Sequence, residues 1–149
     1  MNTYIHYVDG KRFEIITRGH RILCDQPAAN GGTDAGVTPP ELLLASLGAC
    51  AGSYAVEYLH ARSLSAAELH IHVSAEKEMA PARIGFFRID VIVPGLDRRY
   101  LAGLLRAVKS CLIHNTLVKP PAIQVEVASG PEELQTVGDA LAPSNGHVI

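Results

Sequence analysis

The sequence predicts one α+β domain with largely antiparallel pairing, in the order βββ-α-ββ-α-β. Three observations carry that prediction. Short alternating runs fill the first 25 residues and recur between residues 68 and 93. A long apolar stretch, Leu42 to Val56, separates them. A later segment, from Asp97 to about Thr116, repeats its apolar residues at helical spacing.

Tyr4-Ile5-His6-Tyr7-Val8 alternates, Asp9-Gly10 is a hairpin-turn dipeptide, and Arg12 to Thr17 forms the returning strand. Gly19 breaks that run before a third short strand, Arg21 to Cys24. Residues 26–37, QPAANGGTDAGV, concentrate turn formers and predict an exposed or ligand-facing loop. The glycines at 31, 32 and 36 fit neither a GxGxxG nor a P-loop spacing, so phosphate binding is disfavoured. Thr38-Pro39-Pro40-Glu41 reads as a helix start, with Thr38 as N-cap, Pro39 at the first helical position and Glu41 three residues past the cap. This helix is expected to run to about Arg62. Its apolar residues cover nearly every face of the first half, as in a central, buried helix.

Glu68 to Glu76 alternates cleanly, with Leu69, Ile71, Val73 and Ala75 inward. A second strand of this pair spans roughly Arg83 to Val93, its alternation blurred at Phe86-Phe87, and Pro94-Gly95 ends it. The second helix places Leu101, Leu104, Leu105, Val108, Cys111 and Leu112 on one face. Ala122 to Val127 reads as a last strand, and a short helix is expected near Glu132 to Val137. Residues 1–130 are expected to form the domain, with 131–149 a partly mobile tail.

Composition narrows the classes. A chain of 149 residues, 48% hydrophobic, is long enough for one compact core. Charged residues are only 19%, below the usual quarter, which points to apolar surface covered by a second copy. Net charge is −2 without a basic stripe, which argues against nucleic-acid binding. The N-terminus lacks a secretory pattern, and the uncharged stretch from Leu42 to Val56 is shorter than the roughly 20 residues of a membrane span. A cytoplasmic protein without a membrane partner is expected.

Three cysteines, at 24, 50 and 111, are odd in number and widely spaced, with no CxxC. In a reducing compartment any disulfide between them is transient. His70 and His72 share a strand face but have no third ligand nearby, so a solvated face is the simpler reading than a zinc site. Cys50 lies mid-helix among Gly48, Ala49, Ala51 and Gly52, which strip bulk from around the sulfur and lower helix propensity. Cys111 falls on the apolar stripe of the second helix and can face the same core. On these residues alone, two unrelated core cysteines remain the simpler reading. His114 could assist Cys111 or cap helix carbonyls. His20 and Asp25 are weaker candidates, and Cys24 reads as a bystander.

Residues 31–50, GGTDAGVTPPELLLASLGAC, form a Gly-rich loop, a Pro-Glu-Leu-Leu helix start and small residues before a cysteine. Cys111-Leu112-Ile113-His114-Asn115-Thr116-Leu117 adds a second cysteine motif. Together they resemble the OsmC/Ohr family, and the order of elements matches from about residue 5 to 128. The resemblance implies an OsmC-like fold: an intertwined homodimer whose central helices pack on antiparallel sheet, with active sites at the subunit interface. It makes Cys50 the peroxidatic thiol, Cys111 the resolving thiol, and Arg18 of the N-terminal strands the cation that activates the thiolate. The Ohr branch places a glutamate ten residues before the peroxidatic cysteine. Here Pro40 stands there and Glu41 follows, a helical rotation of about 100°, so the chain resembles the broader OsmC-like branch more than Ohr.

The activity expected from the resemblance is reduction of organic (alkyl or lipid) hydroperoxides. Only the thiolate is a good nucleophile, and neither burial nor a dipole a dozen residues away favours it, so a nearby cation is required. Cys50 would pass through a sulfenic acid to a Cys50–Cys111 disulfide, which a small dithiol or a thiol protein then reduces. Leu43, Leu44 and Leu47, with Phe86 and Phe87, supply an apolar substrate wall. No metal, flavin or haem cofactor is needed. The rival is a non-catalytic dimer of the same fold that binds a small apolar ligand, with both cysteines as packing.

Overall fold

The structure, a computed structural model, describes residues 1–130. The helix expected at Glu132 to Val137 and the expected tail lie outside the described residues. Met1–Lys119 forms one compact unit, and the segment beginning at Pro120 belongs to a second.

Strands β1 (Tyr4–Asp9), β2 (Arg12–Thr17) and β3 (His20–Cys24) form an antiparallel meander. Arg12 closes the first turn on the Asp9 carboxylate. Arg18 (φ 49°) and Gly19 (φ 82°) make the second turn between the paired Thr17 and His20. Two successive positive φ values match the twist of a tight hairpin, which glycine adopts freely and arginine does not. This sheet leaves Tyr4, Ile5, Tyr7, Val8, Ile22 and Leu23 exposed, more apolar surface than a free sheet carries comfortably.

The Gly-rich loop is an ordered structure built around a fully buried carboxylate, Asp25. Its oxygens accept hydrogen bonds from the N–H groups of Gln26 (2.7 Å), Thr33 (3.0 Å) and Ala35 (3.1 Å) and from the Thr33 hydroxyl (2.7 Å). The loop passes so close to β3 that a Cβ on Gly36 would lie 2.3 Å from the Leu23 carbonyl oxygen. Only glycine fits there. The loop ends on a parallel bridge between Cys24 and Val37 and delivers the chain to the long helix.

Helix α1 (Pro39–His60) starts where the sequence predicts, with a complete capping box. Its buried positions, Leu47, Ala51, Ala55 and Leu59, form a single stripe four residues apart. The expected burial on nearly every face is not found: Ala45, Ser46, Ala49 and Ser53 are exposed. The reason is that the chain supplies cover on one side only, chiefly from the second helix and one strand. By length and composition alone this helix could also cross a bilayer. In the structure its stripe makes the core.

Strands β4 (His70–Met79) and β5 (Ala82–Ile92) form a long antiparallel hairpin. The register slips between Glu76 and Lys77, whose partners are Phe86 and Ile84, leaving Gly85 as the extra residue. This bulge explains the blurred alternation at Phe86-Phe87. β4 lies on α1 because α1 is small there: a Cβ on Gly48 would sit 3.0 Å from Val73 Cγ2, and one on Gly52 3.0 Å from Ile71 Cδ1.

Helix α2 (Arg98–Lys109) is capped by Asp97 and packs Leu104 and Val108 against Ala51 and Ala55. Tyr58 ties the two helices together, donating its hydroxyl to the Tyr100 carbonyl at 3.1 Å beneath the Arg62 guanidinium, 3.7 Å from the ring. The single helix expected to Thr116 is broken. Ser110 turns its hydroxyl to the Arg106 carbonyl (2.9 Å), Cys111 takes an extended conformation, and α3 (Leu112–Val118) starts afresh. A serine that bonds back to its own turn competes with helix continuation. The strand expected at Ala122 to Val127 is absent: residues 120–130 carry no regular element, and Ile123, Val125 and Val127 are exposed. The alternation is there, but a strand needs a ladder partner, and none exists among the described residues.

Candidate active site: two thiols at a helix break

Cys50 sits one residue before the buried Ala51, on the flank of the α1 stripe, and is partly exposed. Cys111 sits in the break between α2 and α3 and is fully buried. The two elements place the Cys50 thiol near enough to Cys111 to help raise its pKa. All three cysteines are free, and Cys24 is buried at the end of β3.

Cys111 is the N-cap of α3. Its sulfur accepts the His114 N–H at 3.3 Å. Burial pushes its thiol pKa up, the Cys50 thiol adds to that shift, and the hydrogen bond from His114 opposes it. The net direction is upward, so Cys111 is held as the neutral thiol. Cys50 is thus the more accessible sulfur and Cys111 the protected one. A sulfur with a second thiol beside it can form a reversible disulfide, provided an oxidant reaches the first.

The other expected site residues divide. Arg18 stands at the tip of the β2–β3 hairpin, and no hydrogen bond or ion pair joins it to another described residue. Glu41 is engaged at the start of α1: its Oε2 accepts from the Thr38 N–H at 2.7 Å and the Thr38 hydroxyl at 2.8 Å. Those bonds lower its pKa, with a smaller contribution from Lys77. Leu47, Phe86 and Phe87 line one cavity of about 530 Å³, floored by Leu117 and edged by Arg83, Lys109 and His114. Leu44 lines two other cavities, and Leu43 lines none of those described.

Asp25 is the residue whose importance the sequence understates. Burial opposes its ionisation, but the Thr33 hydroxyl and three backbone N–H groups outweigh that and hold the carboxyl far below the usual range. Its role is to fix the loop that enters α1. His20 lies at the start of β3, in the hairpin of Arg18. His72 approaches Asp90 at 3.7 Å, and no cluster of three potential metal ligands occurs among the described residues.

A mixed α+β frame with a long central helix and two antiparallel sheets defines the class. The family model of OsmC-like proteins matches residues 31–126, more than half of the chain, and the chain belongs to that family. Solved structures agree on the fold. One, from Psychrobacter arcticus 273-4, is described provisionally as an osmotic stress induced and detoxification response protein. It is 18% identical, with a TM-score of 0.72 over 78% of this chain and 87% of that one. The organic hydroperoxide resistance protein OhrB of Bacillus subtilis is 20% identical, with a TM-score of 0.58 over 86% of this chain and 98% of its own. An OsmC-like protein of unknown function from Vibrio cholerae is 13% identical, with a TM-score of 0.63 over 77% and 91%. No curated protein matches the chain.

Proposed function

We propose that this protein is a thiol-dependent peroxidase that reduces organic hydroperoxides through Cys50 and resolves the product with Cys111. The observation that carries the reading is a partly exposed thiol, Cys50, that helps raise the pKa of the fully buried Cys111. The family contains a protein named for organic hydroperoxide resistance, which supports the same chemistry.

In this reading the Cys50 thiolate attacks the distal peroxide oxygen, the O–O bond breaks, and the alcohol leaves. Cys50 becomes a sulfenic acid. Cys111 attacks that sulfur, water departs, and the disulfide protects Cys50 from further oxidation. A small dithiol or thiol protein restores both thiols. The cavity of Leu47, Phe86 and Phe87 receives the alkyl chain.

Arg18 supplies the positive charge from a second copy. Tyr4, Ile5, Tyr7 and Val8 of the N-terminal sheet are exposed, α1 leaves Ala45, Ala49 and Ser53 exposed, and Arg18 is unengaged at a hairpin tip. A homodimer that seats this sheet on its partner brings the guanidinium to the other subunit's thiol. Glu41, with one oxygen committed to Thr38, offers the other oxygen to that guanidinium. The free, widely spaced cysteines fit the reducing cytoplasm.

Turnover tests the reading. With a dithiol as reductant, wild type consumes cumene hydroperoxide catalytically and Cys50→Ser does not. Equal consumption by both proteins, or none by either, overturns it.

A further inference from the structure

Two helices of this chain begin with the same spacing. In α1 Thr38 is the N-cap and Glu41 follows at the third helical position. The Glu41 N–H donates to the Thr38 hydroxyl at 3.4 Å, and the Glu41 carboxylate accepts from the Thr38 N–H at 2.7 Å. In α3 Cys111 is the N-cap and His114 takes the place of Glu41. The first half of the reciprocal pair is made, the His114 N–H donating to Cys111 Sγ at 3.3 Å. The second half is open: His114 Nδ1 is buried and has no hydrogen-bond partner. His114 stands three residues after the capping Cys111, so the residue with the orphan nitrogen lies in the same turn as the thiol, although Nδ1 is not hydrogen-bonded to the sulfur at rest. Buried ring nitrogens are satisfied as a rule, and one left open beside a nucleophile calls for a partner.

Disulfide closure supplies one. Cys111 is fully buried, so bulk water is a poor base for it, and burial favours the neutral thiol. When its sulfur attacks the Cys50 sulfenic acid, an S–S bond forms and the S–O bond breaks. The S–O electron pair leaves with the oxygen, and the sulfenic acid is itself the oxidant. The thiol proton has to leave Cys111 and end on the departing oxygen, giving water. We propose that His114 accepts the Cys111 proton through Nδ1 and returns it to the departing oxygen, so that a thiol–imidazole pair at the start of α3 sets the rate of disulfide closure.

The inference rests on the Cys50–Cys111 reading above. Leu47 from α1, Arg83 from β5 and Lys109 from α2 line the same cavity as His114, and the Cys50 thiol acts on the neighbouring Cys111. Arg83 is paired with Glu78 at 2.5 Å. No acidic side chain lines the cavity, so no carboxylate competes for the proton.

The test uses the full chain and needs no peroxide. 5,5′-Dithiobis(2-nitrobenzoate) reacts first with the accessible Cys50, and Cys111 then displaces the second thionitrobenzoate. The wild-type second phase is expected to rise as the pH is raised from about 5.5 to about 7.5, because base-assisted removal of the thiol proton becomes easier. His114→Gln keeps the main-chain N–H on Cys111. It is expected to leave the first phase unchanged, slow the second at least about tenfold at pH 7, and lose that rise. Cys111→Ser abolishes the second phase. Matching melting temperatures separate this from damage to α3, and His114→Asn serves if the glutamine variant fails to fold. Equal second-phase rates and pH profiles in wild type and variant overturn the proposal. In parallel, one equivalent of cumene hydroperoxide with dimedone reads the sulfenic acid, expected to accumulate in His114→Gln. Absence of both sulfenic acid and the Cys50–Cys111 disulfide in both proteins overturns the peroxidase reading instead, and the thionitrobenzoate phases still decide the role of His114.

Discussion

Glu41 closes on Thr38 from both sides: it donates its N–H to the threonine hydroxyl and accepts from the threonine N–H and hydroxyl through one oxygen. The helix that carries Cys50 is therefore anchored by a residue to which the proposed mechanism also gives a role. The two roles separate by substitution. Thr38→Ala is expected to cost about 1 kcal/mol of stability, the usual worth of an N-cap, and to leave the rate of peroxide reaction within about threefold. Glu41→Gln is expected to lower that rate about tenfold by weakening the hold on the arginine. Thermal melts and single-turnover thiol loss check both.

Arg18 acts across the dimer in this account, so complementation exposes it. Arg18→Met is expected to slow Cys50 oxidation roughly a hundredfold, with Arg18→Lys intermediate. Mixing Arg18→Met with Cys50→Ser chains and allowing exchange regenerates sites that hold both groups. Random pairing returns about a quarter of wild-type activity. No recovery after verified exchange contradicts the trans arrangement.

Asp25 gives a pH signature. Its carboxyl is depressed by the Thr33 hydroxyl and the loop N–H groups, so its contribution is present above the unfolded-state value near 4 and is lost as pH falls toward the lower folded value. Wild type therefore loses stability steadily below about pH 4. Asp25→Asn is expected to melt at least about 5 °C lower at pH 7 and to show a shallower acid slope. Melts between pH 2 and 7 measure both.

Cys111 has the opposite sign. Burial raises its thiol pKa, so its contribution is complete below the unfolded-state value near 8.5 and is lost as pH rises through the higher folded one. At pH 8 iodoacetamide is expected to label Cys50 at least about tenfold faster than Cys111, read by peptide mass mapping. Cys111→Ser is expected to leave Cys50 unresolved, so that excess hydroperoxide drives it to the sulfinic acid.

What the sequence revealed was local. The Asp9-Gly10 turn, the Thr38 cap and the alternation of Ile71 and Val73 are each written in neighbouring residues. The break at Ser110 was hidden because the apolar stripe from Leu101 to Leu112 runs straight through it, and a serine hydroxyl is a weak breaker. Alternation in Ile123, Val125 and Val127 specifies a face but not a ladder partner. Asp25 left no periodic signal; the clue lay in Gly32 and Gly36, whose missing side chains let the loop close around it. For the site, two cysteines were visible, but their approach depends on how α1 and α3 pack. Arg18 could be named only by resemblance.

The most direct measurement is intact-mass and peptide analysis after one equivalent of cumene hydroperoxide under reductant-free conditions. A loss of about 2 Da per chain, a single cross-linked peptide joining Cys50 to Cys111, and an equivalent of cumyl alcohol are expected. An unchanged mass with the hydroperoxide intact, or a cross-link that involves Cys24 in place of Cys111, would contradict the proposed mechanism.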